Sequence, residues 1–159
     1  MEGIPMKLNI EKVIQPLDLG DYAEAMKGQI LQIWVNPPMA IIRRRELLLV
    51  KYNLLLDAMK TRAKNADAAA EKTREKIAEE VGKQIDNFNS YASGEFTDGI
   101  NDWFSDLWSQ HHDPATHWTR QELVDLNEAD PALYQWLKNQ TIEAIAAHKA
   151  GEKKGSVTR

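Results

Sequence analysis

Three histidines fall close together, His111, His112 and His117, with Asp113 between them. Imidazole and carboxylate are ligands for zinc, nickel or iron, so this cluster is the first place to look for chemistry. Adjacent helical positions point about 100° apart, and no cysteine or fourth ligand stands nearby. The ordinary alternative is a helix C-terminus whose last carbonyls are stabilised by imidazole, and no metal site is assigned. Asp102 and Asp106 lie at i, i+4, a spacing that can pair carboxylates for acid–base work. No nucleophile, glycine loop or complementary base accompanies them, so they read as a solvated helix face. Arg43, Arg44 and Arg45 would clamp a phosphate or carboxylate if they converged, but on a helix they fan out over about 200°. The nucleotide-binding, hydrolase and metalloprotease signatures are all missing. The expectation is a protein that is not an enzyme and has no cofactor.

Composition narrows the classes further. Of 159 residues, 43% are hydrophobic and 28% charged, the proportions of a globular chain rather than a disordered one. A net charge of −4 disfavours a nucleic-acid binder, which needs cationic surface to displace phosphate counterions. Absence of cysteine excludes disulfides, thiol nucleophiles and iron–sulfur clusters. No stretch approaches the roughly 18 apolar residues of a membrane span, and Met1–Met6 do not read as a secretory signal. Charge is uneven: residues 82–148 hold 3 basic groups against 11 acidic ones, net −8, whereas residues 149–159 are net +3. An acidic segment of this kind suits a basic partner surface, or serves solubility.

The elements that must position these residues are mostly helical. Gln29–Val35 is rich in β-branched and aromatic residues and ends at Asn36-Pro37-Pro38, a strand expected to be covered on both faces. Leu17–Tyr22 reads as a shorter strand, Lys7–Ile14 is ambiguous, and Lys27-Gly28 is a turn. Pro37-Pro38 opens a helix with Ile42, Leu48, Leu49, Leu55, Leu56 and Met59 as its apolar stripe. From Lys60 to Lys76 the stripe thins to alanine. Either one helix runs from about 38 to 93, or a hairpin breaks near Asn65-Ala66-Asp67. The hairpin is favoured, because each stripe needs a partner to bury it.

The second stripe is Ile77, Val81, Ile85, Phe88 and Tyr91, stopping at Gly94 as a C′ residue. Asp98 caps a helix of about 99–111 with Trp103, Phe104, Leu107 and Trp108 on one face. Thr119-Arg120-Gln121-Glu122 is a capping box that opens a helix to about Leu126. Asp130-Pro131 opens the last helix, which ends before Gly151. The expected fold is α+β, mostly α: a small N-terminal β-hairpin or sheet followed by about four to five helices. The expected organisation is a β region at 1–36, a helical region at 37–151 of the same domain, and a flexible polar tail at 152–159.

Several short blocks together resemble a known family. They are Leu17-Asp18-Leu19-Gly20-Asp21-Tyr22, Ile33-Trp34-Val35-Asn36-Pro37-Pro38, Trp108-Ser109-Gln110, His117-Trp118-Thr119 ahead of Glu122-Leu123, and Asp130-Pro131-Ala132-Leu133-Tyr134-Gln135-Trp136-Leu137. Their order is similar to that of small tail assembly chaperones of long-tailed bacteriophages and prophages. The match covers about two-thirds of the chain and includes no catalytic signature. The resemblance implies a protein of the host bacterial cytoplasm that binds the tape measure protein, or another phage tail protein, and keeps it soluble while the tail assembles. The charge and the lack of a long apolar stretch point to no nucleic-acid and no membrane partner, and leave room for self-association. The stripe Ile77, Val81, Ile85, Phe88 and Tyr91 and the face of Trp103 and Trp108 are the candidate partner-binding residues. The competing reading is a structural virion protein, of tail or head completion, acting as an oligomer.

Overall fold

The computed structural model describes residues 11–68, 71–110 and 113–157. The fold is α+β and mostly α. Its strands are β1 (Ile14–Asp18), β2 (Ile30–Trp34), β3 (Trp108–Gln110) and β4 (Asp113–His117). Its helices are α1 (Met39–Ala68), α2 (Glu71–Tyr91), α3 (Thr97–Leu107), α4 (Arg120–Ala129) and α5 (Pro131–Val157). The chain divides into two compact units. Among the described residues the first comprises 11–37, 107–110, 113–118 and 125–157, and the second 38–68, 71–106 and 119–124.

The first unit is built on an antiparallel sheet of order β1-β2-β3-β4. Asp18 organises the β1–β2 connection, its Oδ1 accepting from the amides of Gly20 at 2.8 Å and Gly28 at 3.1 Å. Those two backbone bonds hold the Asp18 carboxyl below its ordinary pKa. Gly28 has φ of +91°, which confirms the turn read at Lys27-Gly28. At the other end Asn36 ties the ladder together. Its Oδ1 accepts from the Val13 amide at 2.7 Å and the Trp34 indole at 2.9 Å, and its Nδ2 donates to the Glu11 carbonyl at 2.8 Å. Leu31, Ile33 and Val35 are buried while Ile30, Gln32 and Trp34 are half-buried, so only one face of β2 is fully covered, not both.

Two strand expectations shift. The first strand lies at Ile14–Asp18, and Leu19–Asp21 is a 3₁₀ turn rather than part of a strand. The helix expected over 99–111 stops at Leu107, and β3 continues the chain as a third strand, with Ile33 opposite Trp108. Trp108 is therefore a sheet residue. Its indole Nε1 donates to Thr141 Oγ1 at 2.9 Å, and that hydroxyl donates to the Leu137 carbonyl at 2.7 Å, which ties the sheet to α5. The Tyr134 ring meets Trp108 edge-on at 6.0 Å, and burial pushes its phenol up to about 12. α5 begins as read, with Asp130 Oδ1 accepting from the Leu133 amide at 3.0 Å. It does not stop at Gly151 but runs to Val157. Glu152, Lys153 and Lys154 are good helix formers, and His148 Nε2 lies 2.9 Å from Glu152 Oε1, one turn apart.

The second unit is the hairpin of α1 and α2, continued by α3. The rings of Tyr52 and Phe88 meet at 5.0 Å, Tyr91 Oη donates to the Leu48 carbonyl at 2.8 Å, and Arg62 pairs with Glu80 at 3.1 Å. These cross-contacts run in opposite chain directions, so the helices are antiparallel. Gly94 does not end the helix. Ala92–Phe96 forms a π-helical turn that leads into α3, which makes Asp98 a first-turn residue rather than a cap. α1 approaches α3 closely at Gly99, where a Cβ would lie 2.7 Å from a Leu48 methyl. The capping box forms as read: the Glu122 amide donates to Thr119 Oγ1 and the Thr119 amide to Glu122 Oε1, both at 3.2 Å. α4 then runs to Ala129, past the expected end near Leu126.

The hydroxyl of Thr141 is fully buried and accepts from a buried indole. Thr141→Val keeps the shape and removes that acceptor, and should cost about 1–3 kcal/mol in urea denaturation. Thr141→Ser, which keeps the hydroxyl, should recover most of the loss. Equal stabilities for wild type and Thr141→Val would show that the bond contributes nothing.

Candidate functional site

The residues expected to meet a partner are largely interior. Trp103 is 2% exposed and Trp108 1%, which makes both core residues rather than binding surface. Trp103 Nε1 donates to the Ile41 carbonyl at 2.7 Å, and its ring receives the Arg45 guanidinium at 5.5 Å. Tyr91 is also buried, and burial raises its pKa. Phe88 is occupied by Tyr52, Ile77 and Val81 are half-buried, and of this stripe Ile85 alone is exposed, at 39%. The stripe was correctly read as one helix face, but Phe88 and Tyr91 show that α1 takes up that face.

The polar candidates also resolve into internal pairs. Arg120 grips Asp102 with two bonds, Nε to Oδ1 at 2.8 Å and Nη2 to Oδ2 at 2.6 Å, and reaches Asp98 at 3.6 Å. Asp106 pairs instead with Arg44. Asp102 and Asp106 thus serve different arginines and form no acid–base pair. Hydrogen bonding from Arg120 lowers the Asp102 pKa, and Asp102 in turn raises that of the guanidinium. Arg43, Arg44 and Arg45 diverge as expected: Arg43 is exposed, Arg44 is on Asp106, and Arg45 is over Trp103. His111 and His112 lie outside the described residues, and His117 ends β4 exposed. Among the described residues no group of three potential ligands is close enough to hold a metal.

What the sequence did not reveal is an apolar groove within the first unit. Its volume is about 660 Å³. Leu31, Trp108, Leu133 and Leu137, all buried, form the floor, and half-buried Leu19, Met26, Ile30 and Leu126 form the rim. The space lies in the size range of ligand pockets, and its lining is almost wholly aliphatic and aromatic. It offers burial of apolar side chains. Met26 and Leu19 stand in 3₁₀ turns with no periodic pattern, so no sequence signal marks them as lining one site.

No protein-family model, no curated protein and no solved structure matches the chain. The site therefore stands on its own residues. Among the described residues no helix is long and apolar enough to cross a membrane.

The Arg120–Asp102 contact carries a pH signature. Because the folded carboxyl titrates below its unfolded value, its contribution is complete above about pH 4 and is lost as pH falls through the folded pKa. Arg120→Met should move the Asp102 carboxyl signal in a carbon-13 NMR titration upward toward 3.8. It should also remove the part of the acid-induced stability loss due to this group. An unchanged Asp102 titration would mean that the two-bond contact does not form in solution.

Proposed function

We propose that this protein is a non-enzymatic tail assembly chaperone, which binds the tape measure protein of a long-tailed phage or prophage in the host cytoplasm and keeps it soluble. The observation that carries this reading is the apolar groove of the first unit. A long helical client with exposed apolar stripes needs a surface that shields a few large side chains reversibly. Helix-in-groove recognition does this through side chains spaced i, i+3 and i+4. Each leucine or phenylalanine buried on the groove floor contributes about 1.5–3 kcal/mol. The family resemblance supplies the identity of the client, and its blocks include groove-lining Leu19, Trp108, Trp118, Leu133 and Leu137. The acidic charge of residues 82–148 adds attraction for a client with basic flanks.

Co-expression with the tape measure protein encoded nearby should raise the soluble fraction of that protein several-fold. Met26→Asp places a charge on the groove rim without touching the buried floor, and should weaken binding by about tenfold or more. Circular dichroism identical to wild type would show that the variant is folded. If wild-type protein gives no gain in client solubility, or if Met26→Asp rescues the client equally well, the reading fails.

A further inference from the structure

α1 has apolar side chains on two sides. Leu48, Leu49, Leu55 and Leu56 are half-buried within the second unit, but Leu47, Val50 and Leu54 are 68%, 52% and 65% exposed. The spacing 47, 50, 54 places these three in one row along the helix. They border a shallow groove of about 540 Å³ whose other side includes Tyr91, Glu95 and Gly99. A row of three large aliphatic residues in solvent marks a surface that something covers.

The charges around the row indicate what. Arg43 continues it at one end and Asp57 at the other, with Glu46 and Lys60 along one flank. All four are exposed; Glu46 interacts with the neighbouring Arg45, whereas Arg43, Asp57 and Lys60 form no ion pair among the described residues. Their neighbours behave otherwise: Arg44 pairs with Asp106, Lys51 with Glu95 at 3.0 Å, and Arg62 with Glu80 at 3.1 Å. Among the exposed charges without an ion pair are Arg43 and Asp57, opposite in sign and at opposite ends of the apolar row.

We infer that a second copy of this chain covers the row, with the two α1 helices packed antiparallel about a two-fold axis near Val50. That arrangement lays the Leu47 end of one copy against the Leu54 end of the other. It also brings Arg43 toward Asp57 of the second copy, because the two positions lie equally far from Val50. That pairing occurs twice, because a two-fold interface is self-complementary. Parallel packing would set Arg43 against Arg43 and Asp57 against Asp57, so the charges select the antiparallel form. The row spans about 10 Å of helix, which makes this a small interface and a weak, reversible dimer.

The test is sedimentation equilibrium of the full chain from micromolar concentration to about 1 mM. The apparent mass should rise from 18.1 kDa toward twice that value. Val50→Arg sets like charges at the axis and should leave a monomer throughout. Asp57→Arg should weaken the dimer on the order of tenfold, and adding Arg43→Asp should restore it. All three positions are solvent-exposed, and circular dichroism checks that each variant is folded. A wild-type chain that stays monomeric to the highest concentration overturns the inference. So does a dimer indifferent to Val50→Arg, or an Asp57→Arg loss that Arg43→Asp does not repair.

Discussion

A buried indole N–H must be given an acceptor, because leaving it bare costs much more than a single hydrogen bond returns. In the first unit Trp108 donates to the Thr141 hydroxyl, which donates in turn to the Leu137 carbonyl one helical turn earlier. The threonine thereby spends both its roles inside the fold. Trp108 also stands opposite Ile33 in the ladder, so one side chain fixes the sheet register and the placement of α5 together. Shifting β3 by a single residue would turn the indole to the opposite sheet face and strand the donor. The groove floor of Leu31, Trp108, Leu133 and Leu137 exists because this contact holds sheet and helix at fixed separation.

The second unit depends on helix packing rather than on a buried polar bond. Tyr52 makes ring contacts with Phe88 and Phe96, and Tyr91 bonds the Leu48 carbonyl, so aromatic rings fill the space where α1 meets α2 and the π-helical turn. The π turn at Ala92–Phe96 inserts extra residues without breaking the helix. It resets which face of α3 follows from the face of α2. Gly99 then allows α1 and α3 to approach with the Leu48 side chain between them.

Local signals were legible in the sequence, and partners were not. The Thr119–Glu122 box, the Asp130-Pro131 start and the Gly28 turn are all readable, because each depends on atoms within a few residues. β3 and β4 were not. Asp113-Pro114 is a poor strand sequence, and Trp108 extends the aromatic spacing of α3, so periodicity favoured more helix. Gly94 looked like a helix end because composition does not distinguish a C′ glycine from one inside a π turn. The stripe at Ile77–Tyr91 shows the general limit. Period tells which face is covered, and only the tertiary structure tells that α1 covers it. The groove escaped for a related reason: its rim comes from turns and from helices distant in sequence, and no spacing rule connects Met26 with Leu126.

α1 itself poses a physical problem that a single inward stripe does not answer. Between Leu47 and Leu56 the chain reads Leu-Leu-Leu-Val-Lys-Tyr-Asn-Leu-Leu-Leu, apolar nearly all the way round the helix. A helix of that kind is stable in water only when both sides are covered. The stripe identified from sequence, Ile42, Leu48, Leu49, Leu55, Leu56 and Met59, is the inner one, and every member is half-buried. Nothing in helix propensity demands leucine at 47 and 54, since glutamate, lysine or glutamine would serve an exposed position as well. Solvent-facing leucines at helical spacing, with unpaired charges at both ends, carry a liability for solubility. That liability is removed when the face is covered, which makes the outer side of α1 an assembly surface rather than a defect of the fold.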